Sequence, residues 1–196
     1  MYAKCGATAE AQDVLQELPT RGLVMWTALV AGVAKCGLPN NALHCLKEMQ
    51  GDGVSPGVVA WSAVLLSFVD QGENEEALEL FYQMQEQGVA PNRVTYLSAL
   101  KAAGNLAAIH FGRCLHARMI GVRGLESTTK LMTTAVIDMY GDCGSMEDAE
   151  KVFETMLVKD HVSWNAFIRG YARQGNNKTV LYLTEKLKAS RTKADG

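Results

Sequence analysis

Apolar and polar positions follow a helical period along most of the chain. Trp26, Leu29, Val30 and Val33 form an i, i+3, i+4, i+7 stripe, as on a helix with one apolar face. Eleven residues after Trp26 comes Gly37, a residue suited to ending a helix in the left-handed region. A second kind of stripe follows such glycines: Ala77, Leu78, Phe81 and Met84 after Gly72, and Ala149, Val152, Phe153 and Met156 after Gly144. Glu75 and Glu76 fall in the first turn of this second stripe, where the helix dipole favours anions. Gly-Val-x-Pro at 53–56 and again at 88–91 then breaks the chain. The pattern predicts antiparallel helix pairs joined by short turns.

The pairs repeat. Placing Trp26 over Trp61 makes eleven of 35 positions identical between 24–58 and 59–93, where chance gives about two or three. Tyr96, Thr133 and Trp164 continue the register at spacings of 35, 37 and 31 residues. A glycine follows each anchor by eleven residues (Gly37, Gly72, Gly144, Gly175), with Ala107 the exception. MYAKCG at the start matches MYGDCG at 139–144, so Met1 sits inside a repeat and the chain reads as a piece of a longer array. One hairpin cannot bury its own apolar face, so neighbours must stack. The expected fold is all-α: an α-solenoid forming a single repeat domain over 1–196, with a truncated unit 1–22 followed by 23–57, 58–92, 93–129, 130–160 and 161–195.

Composition narrows the function classes. The chain is 48% hydrophobic and 20% charged, with a net charge of −2, which excludes a disordered chain. With 19 Lys and Arg against 21 Asp and Glu, it is not a strongly basic nucleic-acid binder. The longest nearly apolar run, 58–69, contains Ser62 and Ser67 and falls short of the roughly 20 residues that span a bilayer. No membrane association is expected, and the opening residues resemble neither a signal nor a transit peptide. The five cysteines include no C-x-x-C pair, so no zinc site or disulfide framework is expected. Cys5, Cys36 and Cys143 share the slot before the glycine and read as packing residues in a reducing compartment.

Catalytic chemistry finds no support. The four histidines His44, His110, His116 and His161 do not recur at one slot beside a carboxylate or cysteine. Asp160 and His161 are adjacent in sequence and do not point at each other in an extended linker. Neither the H-x-E…P-C-x-x-C deaminase signature nor a phosphate-cradling G-x-x-x-x-G-K-[ST] occurs. The reading is no enzyme, no cofactor, no metal and no small-molecule substrate.

The stretches VMWTALVAGVAKCG, VAWSAVLLSF, TAVIDMYGDCGSMEDAEKVFETM and VSWNAFIRGYARQG resemble pentatricopeptide repeats of the land-plant type. The mixture of 35-, 37- and 31-residue units resembles the subclass that combines normal, long and short repeats. Leu106, Gly112 and His116-Ala117 in the long unit fit it as well. The competing tetratricopeptide repeat, a peptide-binding scaffold, has a W-x₂-L-G-x₂-Y pattern that this chain lacks.

The resemblance implies binding of single-stranded RNA at one base per repeat. In the family, base choice depends on the residue after the anchor together with the last residue of the unit. Here those pairs are Thr27 with Gly57, Ser62 with Asn92, Leu97 with Thr129, Thr134 with Asp160, and Asn165 with Asp195. The family's code assigns adenine to Ser62/Asn92, guanine to Thr134/Asp160 and uracil to Asn165/Asp195, giving 5′-NNANGU-3′, while Thr27/Gly57 and Leu97/Thr129 depart from it. Apolar residues two before the anchor sandwich bases in the family, and Val24, Val59, Val94, Leu131 and Val162 fill that slot. Periodicity alone does not separate that role from ordinary core between repeats. Two before the glycine, Lys4, Lys35 and Arg173 would face phosphate, whereas Asp70 and Asp142 would repel it. Few phosphate contacts imply weak binding, no tighter than about micromolar, with shallow salt dependence. The family expectation adds a mitochondrial or chloroplast location and partner proteins of RNA editing or processing. The alternative is a protein- or peptide-binding scaffold, or a truncated piece without useful RNA affinity.

Overall fold

The computed structural model describes residues 22–120 and 129–192. Among the described residues there are ten α-helices and no strand. They pair as α1 (Leu23–Lys35) with α2 (Pro39–Gly51), α3 (Val58–Gln71) with α4 (Asn74–Glu86), and α5 (Arg93–Asn105) with α6 (Ile109–Ile120). Two further pairs are α7 (Thr129–Asp142) with α8 (Met146–Thr155) and α9 (His161–Arg173) with α10 (Asn177–Thr192). The fold is all-α, an α-solenoid of helical hairpins.

The turn inside each hairpin has one geometry. Gly37, Gly72, Gly144 and Gly175 all have φ between 71° and 83°, and Ala107 joins them at 51°. Around Gly72 the amide of Glu73 donates to Phe68 O at 3.0 Å and that of Gly72 to Val69 O at 3.2 Å. These two bonds satisfy carbonyls left open where the helix stops. The slot that holds glycine in four turns thus imposes its left-handed backbone on the alanine in the fifth.

Contacts divide the chain into two compact units, Met1–Ala102 and Ala103–Gly196, where the sequence reads as one repeat domain. In the first unit α1 packs on α2 and α3, α2 on α3, and α3 on α4. The anchor stripes Trp26, Leu29, Val30, Val33 and Trp61, Val64, Leu65, Phe68 are buried, as are Ala42, Cys45, Leu46 and Met49 of α2. Burial of each large side chain contributes roughly 1.5–3 kcal/mol relative to exposure. In the second unit α7 packs on α6, α8 and α9, and α9 packs on α8 and α10. There α7 and α9 meet at glycines: a Cβ at Gly141 would lie 3.0 Å from Gly170 Cα. Phe153 stacks on Phe167 with ring centroids 4.5 Å apart, and Trp164 meets Phe153 edge-on.

Three details differ from the periodic pattern. Leu80, not Leu78, is buried in α4, because it is the residue that falls with Ala77 and Met84 on the inner face. Helix α8 ends at Thr155, and Met156 is extended at φ −69° and ψ 122°, so the helix stops one residue before its stripe does. The Thr133 anchor is half-buried where the aromatic anchors are buried, since a threonine cannot fill the space an aromatic ring takes elsewhere.

Candidate nucleic-acid interface

Each first helix presents two faces near its start. The anchors Trp26, Trp61, Tyr96 and Trp164 are buried. Residues two positions earlier lie about 200° around the helix and must face away from them. Val24, Val59, Val94, Leu131 and Val162 are accordingly 80%, 58%, 39%, 51% and 48% exposed. That exposure removes the reading of these five as core between repeats.

The hydroxyls one residue after the anchors make one recurring bond. Thr27 Oγ1 donates to Leu23 O at 2.7 Å, Ser62 Oγ to Val58 O at 2.6 Å, and Thr134 Oγ1 to Lys130 O at 2.8 Å. With the proton committed to the preceding turn, each oxygen keeps lone pairs that can accept. Ser62 and Thr134 are nearly buried, Asn165 is exposed, and Leu97 is half-buried with no polar group to offer.

The last residue of a unit stands just before the next first helix. Gly57 has φ −81° and ψ 171° before α3, and Asp160 has φ −83° and ψ 174° before α9. Asn92 Oδ1 accepts the amide of Thr95 at 3.0 Å, and Asp160 Oδ1 accepts that of Ser163 at 2.9 Å. An N–H can only donate, so the Asn92 atom facing it is the oxygen, and the carboxamide NH₂ is turned the other way. The Ser163 amide, its hydroxyl, and the nearby charges of Lys130 and His161 hold the Asp160 carboxyl below the usual carboxylate range. Ser62 Oγ lies 3.5 Å from Asn92 Oδ1, so that expected pair is brought together. Thr129 is the first residue of α7 and not its cap. Its side chain, Lys4 and Asp195 lie outside what the structure describes.

Charge in the phosphate slot is largely compensated within the protein. Lys101 Nζ sits 3.0 Å from Asp70 Oδ1, and the guanidinium of Arg173 lies against Asp142. Arg169 pairs with Asp138 in the same way. Asp70 and Asp142 are therefore not bare negative charges, and Arg173 carries an internal partner where a free cation was expected. Lys35, exposed in the last turn of α1, has no ion pair among the described residues. Pairs this exposed contribute little stability, but they reduce the field a phosphate would meet.

Two residues escaped the sequence reading. Thr95 and Ser163, one before their anchors, are fully buried, and their hydroxyls donate to Asn92 O at 2.7 Å and Asp160 O at 2.9 Å. The signal was present as N-x-x-T and D-x-x-S, each an N-cap residue followed three places on by a hydroxyl.

Comparisons with known proteins bear on the family and the fold. A family model described as "PPR repeat family" matches residues 56–105, and one described as "PPR repeat" matches 24–54, 132–161 and 162–191. A chloroplastic pentatricopeptide repeat-containing protein of Arabidopsis thaliana is 33% identical over 195 residues, covering 100% of this chain and 26% of its own length. A putative mitochondrial one from the same plant is 31% identical over 183 residues, covering 93% of this chain and 23% of its own length. The chain thus spans about a quarter of the curated relatives it matches. Among solved structures, the pentatricopeptide repeat protein PPR10 in complex with an 18-nt psaJ RNA element superposes with a TM-score of 0.74. That likeness has 22% identity and covers 96% of this chain and 28% of the other.

Proposed function

The chain belongs to the pentatricopeptide repeat family, and from that premise we propose that it binds single-stranded RNA at one base per repeat. The observation that carries the reading is the orientation of paired polar groups at the unit ends. Ser62 Oγ, an acceptor, lies 3.5 Å from Asn92 Oδ1, and the Asn92 NH₂, a donor, is the group turned away from the Thr95 amide. Thr134 offers an acceptor, and Asp160 keeps a second carboxylate oxygen free of hydrogen bonds among the described residues. Unstacked bases are read on such edges. Two acceptors side by side find adjacent donors only on guanine, at N1–H and the exocyclic amine. An acceptor beside a donor matches the exocyclic amine and N1 of adenine, and the family's code selects adenine among the bases this chemistry allows. Asn165 with Asp195 is assigned uracil by the same code. The exposed apolar residues Val24, Val59 and Val94 in one compact unit, and Leu131 and Val162 in the other, support stacking against bases, where contact with a flat π-face tolerates any sequence.

The proposal extends to a role in organellar RNA editing or processing. Support for the organelle comes from the relatives, whose names are chloroplastic and mitochondrial, whereas the RNA held by PPR10 supports RNA binding alone. With Arg173 paired and Lys35 free, phosphate contributes little to affinity, and the salt dependence is shallow.

The test is a fluorescence-anisotropy titration of the purified chain at one stated salt concentration. It compares single-stranded RNA carrying 5′-NNANGU-3′, a base-scrambled strand and the matching duplex. The reading expects preference for the first. Equal binding to all three, or none by a folded sample, removes it.

A further inference from the structure

Base choice needs more than the right residue at the end of a unit: the side chain must be held in one rotamer. We propose that Thr95 and Ser163 are positioning residues that orient Asn92 and Asp160 toward the base, an inference that rests on the RNA reading above.

Both hydroxyls are fully buried, so neither can touch RNA. Each binds the backbone of the residue it would position: Thr95 Oγ1 donates to Asn92 O at 2.7 Å, and Ser163 Oγ to Asp160 O at 2.9 Å. The amides of the same two residues grip the side-chain oxygen at 3.0 and 2.9 Å. Thr95 Oγ1 also lies 3.4 Å from Asn92 Oδ1. Carbonyl and side chain of the reading residue are therefore tied to one buried neighbour, leaving the Asn92 NH₂ or the second Asp160 oxygen as the outward group.

Helix formation does not require the hydroxyl. Gly57 starts α3 and Gly22 starts α1 with the same extended backbone, and neither has a side-chain cap. The residues three places on are Ala60 and Met25, and the equivalent residue after Thr129 is Met132. The hydroxyl thus occurs at the two described boundaries where the preceding residue is Asn or Asp, and at no other described first-helix start. If it served the fold alone, the glycine starts would need it more.

The decisive experiment titrates the full chain with four RNAs that differ only in the base assigned to the 58–92 unit. Wild type should favour adenine, and Asn92→Ala should abolish the preference. Thr95→Ala should shrink it about fivefold, the effect of one net hydrogen bond, and Thr95→Ser should restore it. No preference in wild type, or one untouched by Asn92→Ala, would defeat the base reading itself. A preference lost in Asn92→Ala but intact in Thr95→Ala would overturn the positioning role alone. So would a Thr95→Ala variant that weakens all four RNAs equally, since that is loss of fold. A second readout needs no RNA: NMR couplings should show one χ1 rotamer for Asn92 in wild type and averaging in Thr95→Ala. A single rotamer in both would also overturn the inference.

Discussion

The starts of α3 and α9 share a backbone and differ in chemistry. Gly57 and Asp160 agree within a few degrees in both dihedrals, yet one offers no side chain and the other a carboxylate locked by Ser163. Trp61 behind the first and Trp164 behind the second are both buried, so it is packing of the anchor that sets where the helix begins. The cap residue is then free to vary with little effect on the fold. That separation of shape from surface chemistry is what a modular reader of polymer sequence requires: the same frame, with different groups at one edge.

The largest effect expected from breaking the contrast is at Asp160. Asp160→Asn keeps the cap, because the two residues cap helices about equally well, but turns an outward acceptor into a donor. Thermal stability should hardly move. Preference at that unit should leave guanine and turn toward adenine, by about tenfold in relative affinity, a typical cost of one mismatched polar contact to a base. Competition binding with RNAs differing at that base checks it, and retained guanine preference would remove Asp160 from base reading.

The reverse change should give the glycine boundary the chemistry of the other. Gly57 has ordinary negative φ, and a Cβ there would meet nothing within 4 Å. Gly57→Asn should therefore be accommodated and stabilise the helix start by roughly 0.3 kcal/mol, the small difference between Gly and Asn as caps. It should also create a base preference in the 23–57 unit, where Thr27 already offers an acceptor. A denaturant midpoint measured beside the four-RNA titration separates the two gains. Stability without new preference would mean that capping and reading are unrelated.

How much of this was legible in the sequence depends on whether a property is local. Helix pairs, turn slots and anchors follow from periodicity, because apolar residues at 3.6-residue spacing have one way to be buried together. The exposure of Val24 and Val162 was not legible, since a valine two before a tryptophan fits core and surface equally until the neighbouring repeat is in place. The pairing of Asp142 with Arg173 was hidden for the same reason: it joins one slot across two repeats, 31 residues apart in sequence. Ala107 shows the opposite case, a slot that the sequence marks as an exception and the backbone treats as the rule. It has φ 51° where glycine stands in the other turns. Ala107→Gly should stabilise the chain by about 0.5–1 kcal/mol through relief of the left-handed alanine, offset in part by unfolded-state entropy. An unchanged melting midpoint would mean that the turn carries no such strain.

The smallest effect is acid sensitivity, and it separates the two polar boundaries from each other. Asp160 is held below the ordinary carboxylate range, first by the Ser163 amide, then by the Ser163 hydroxyl and the charges of Lys130 and His161. A depressed folded-state pKa means that the ionised cap stabilises the protein above the unfolded-state value, near 3.9, and that this contribution disappears as pH falls through the folded value. Asn92 has no such titration. Melting of wild type and Asp160→Asn should therefore differ by a constant amount from about pH 7 to 5, and the difference should shrink toward pH 3. Other carboxylates titrate in both proteins and cancel. The site is partly exposed, so the shift should be a small one, best resolved at low salt. Parallel profiles down to the lowest pH would show that the negative charge of Asp160 adds nothing to its cap, leaving only the proposed contact with a base to call for a carboxylate there.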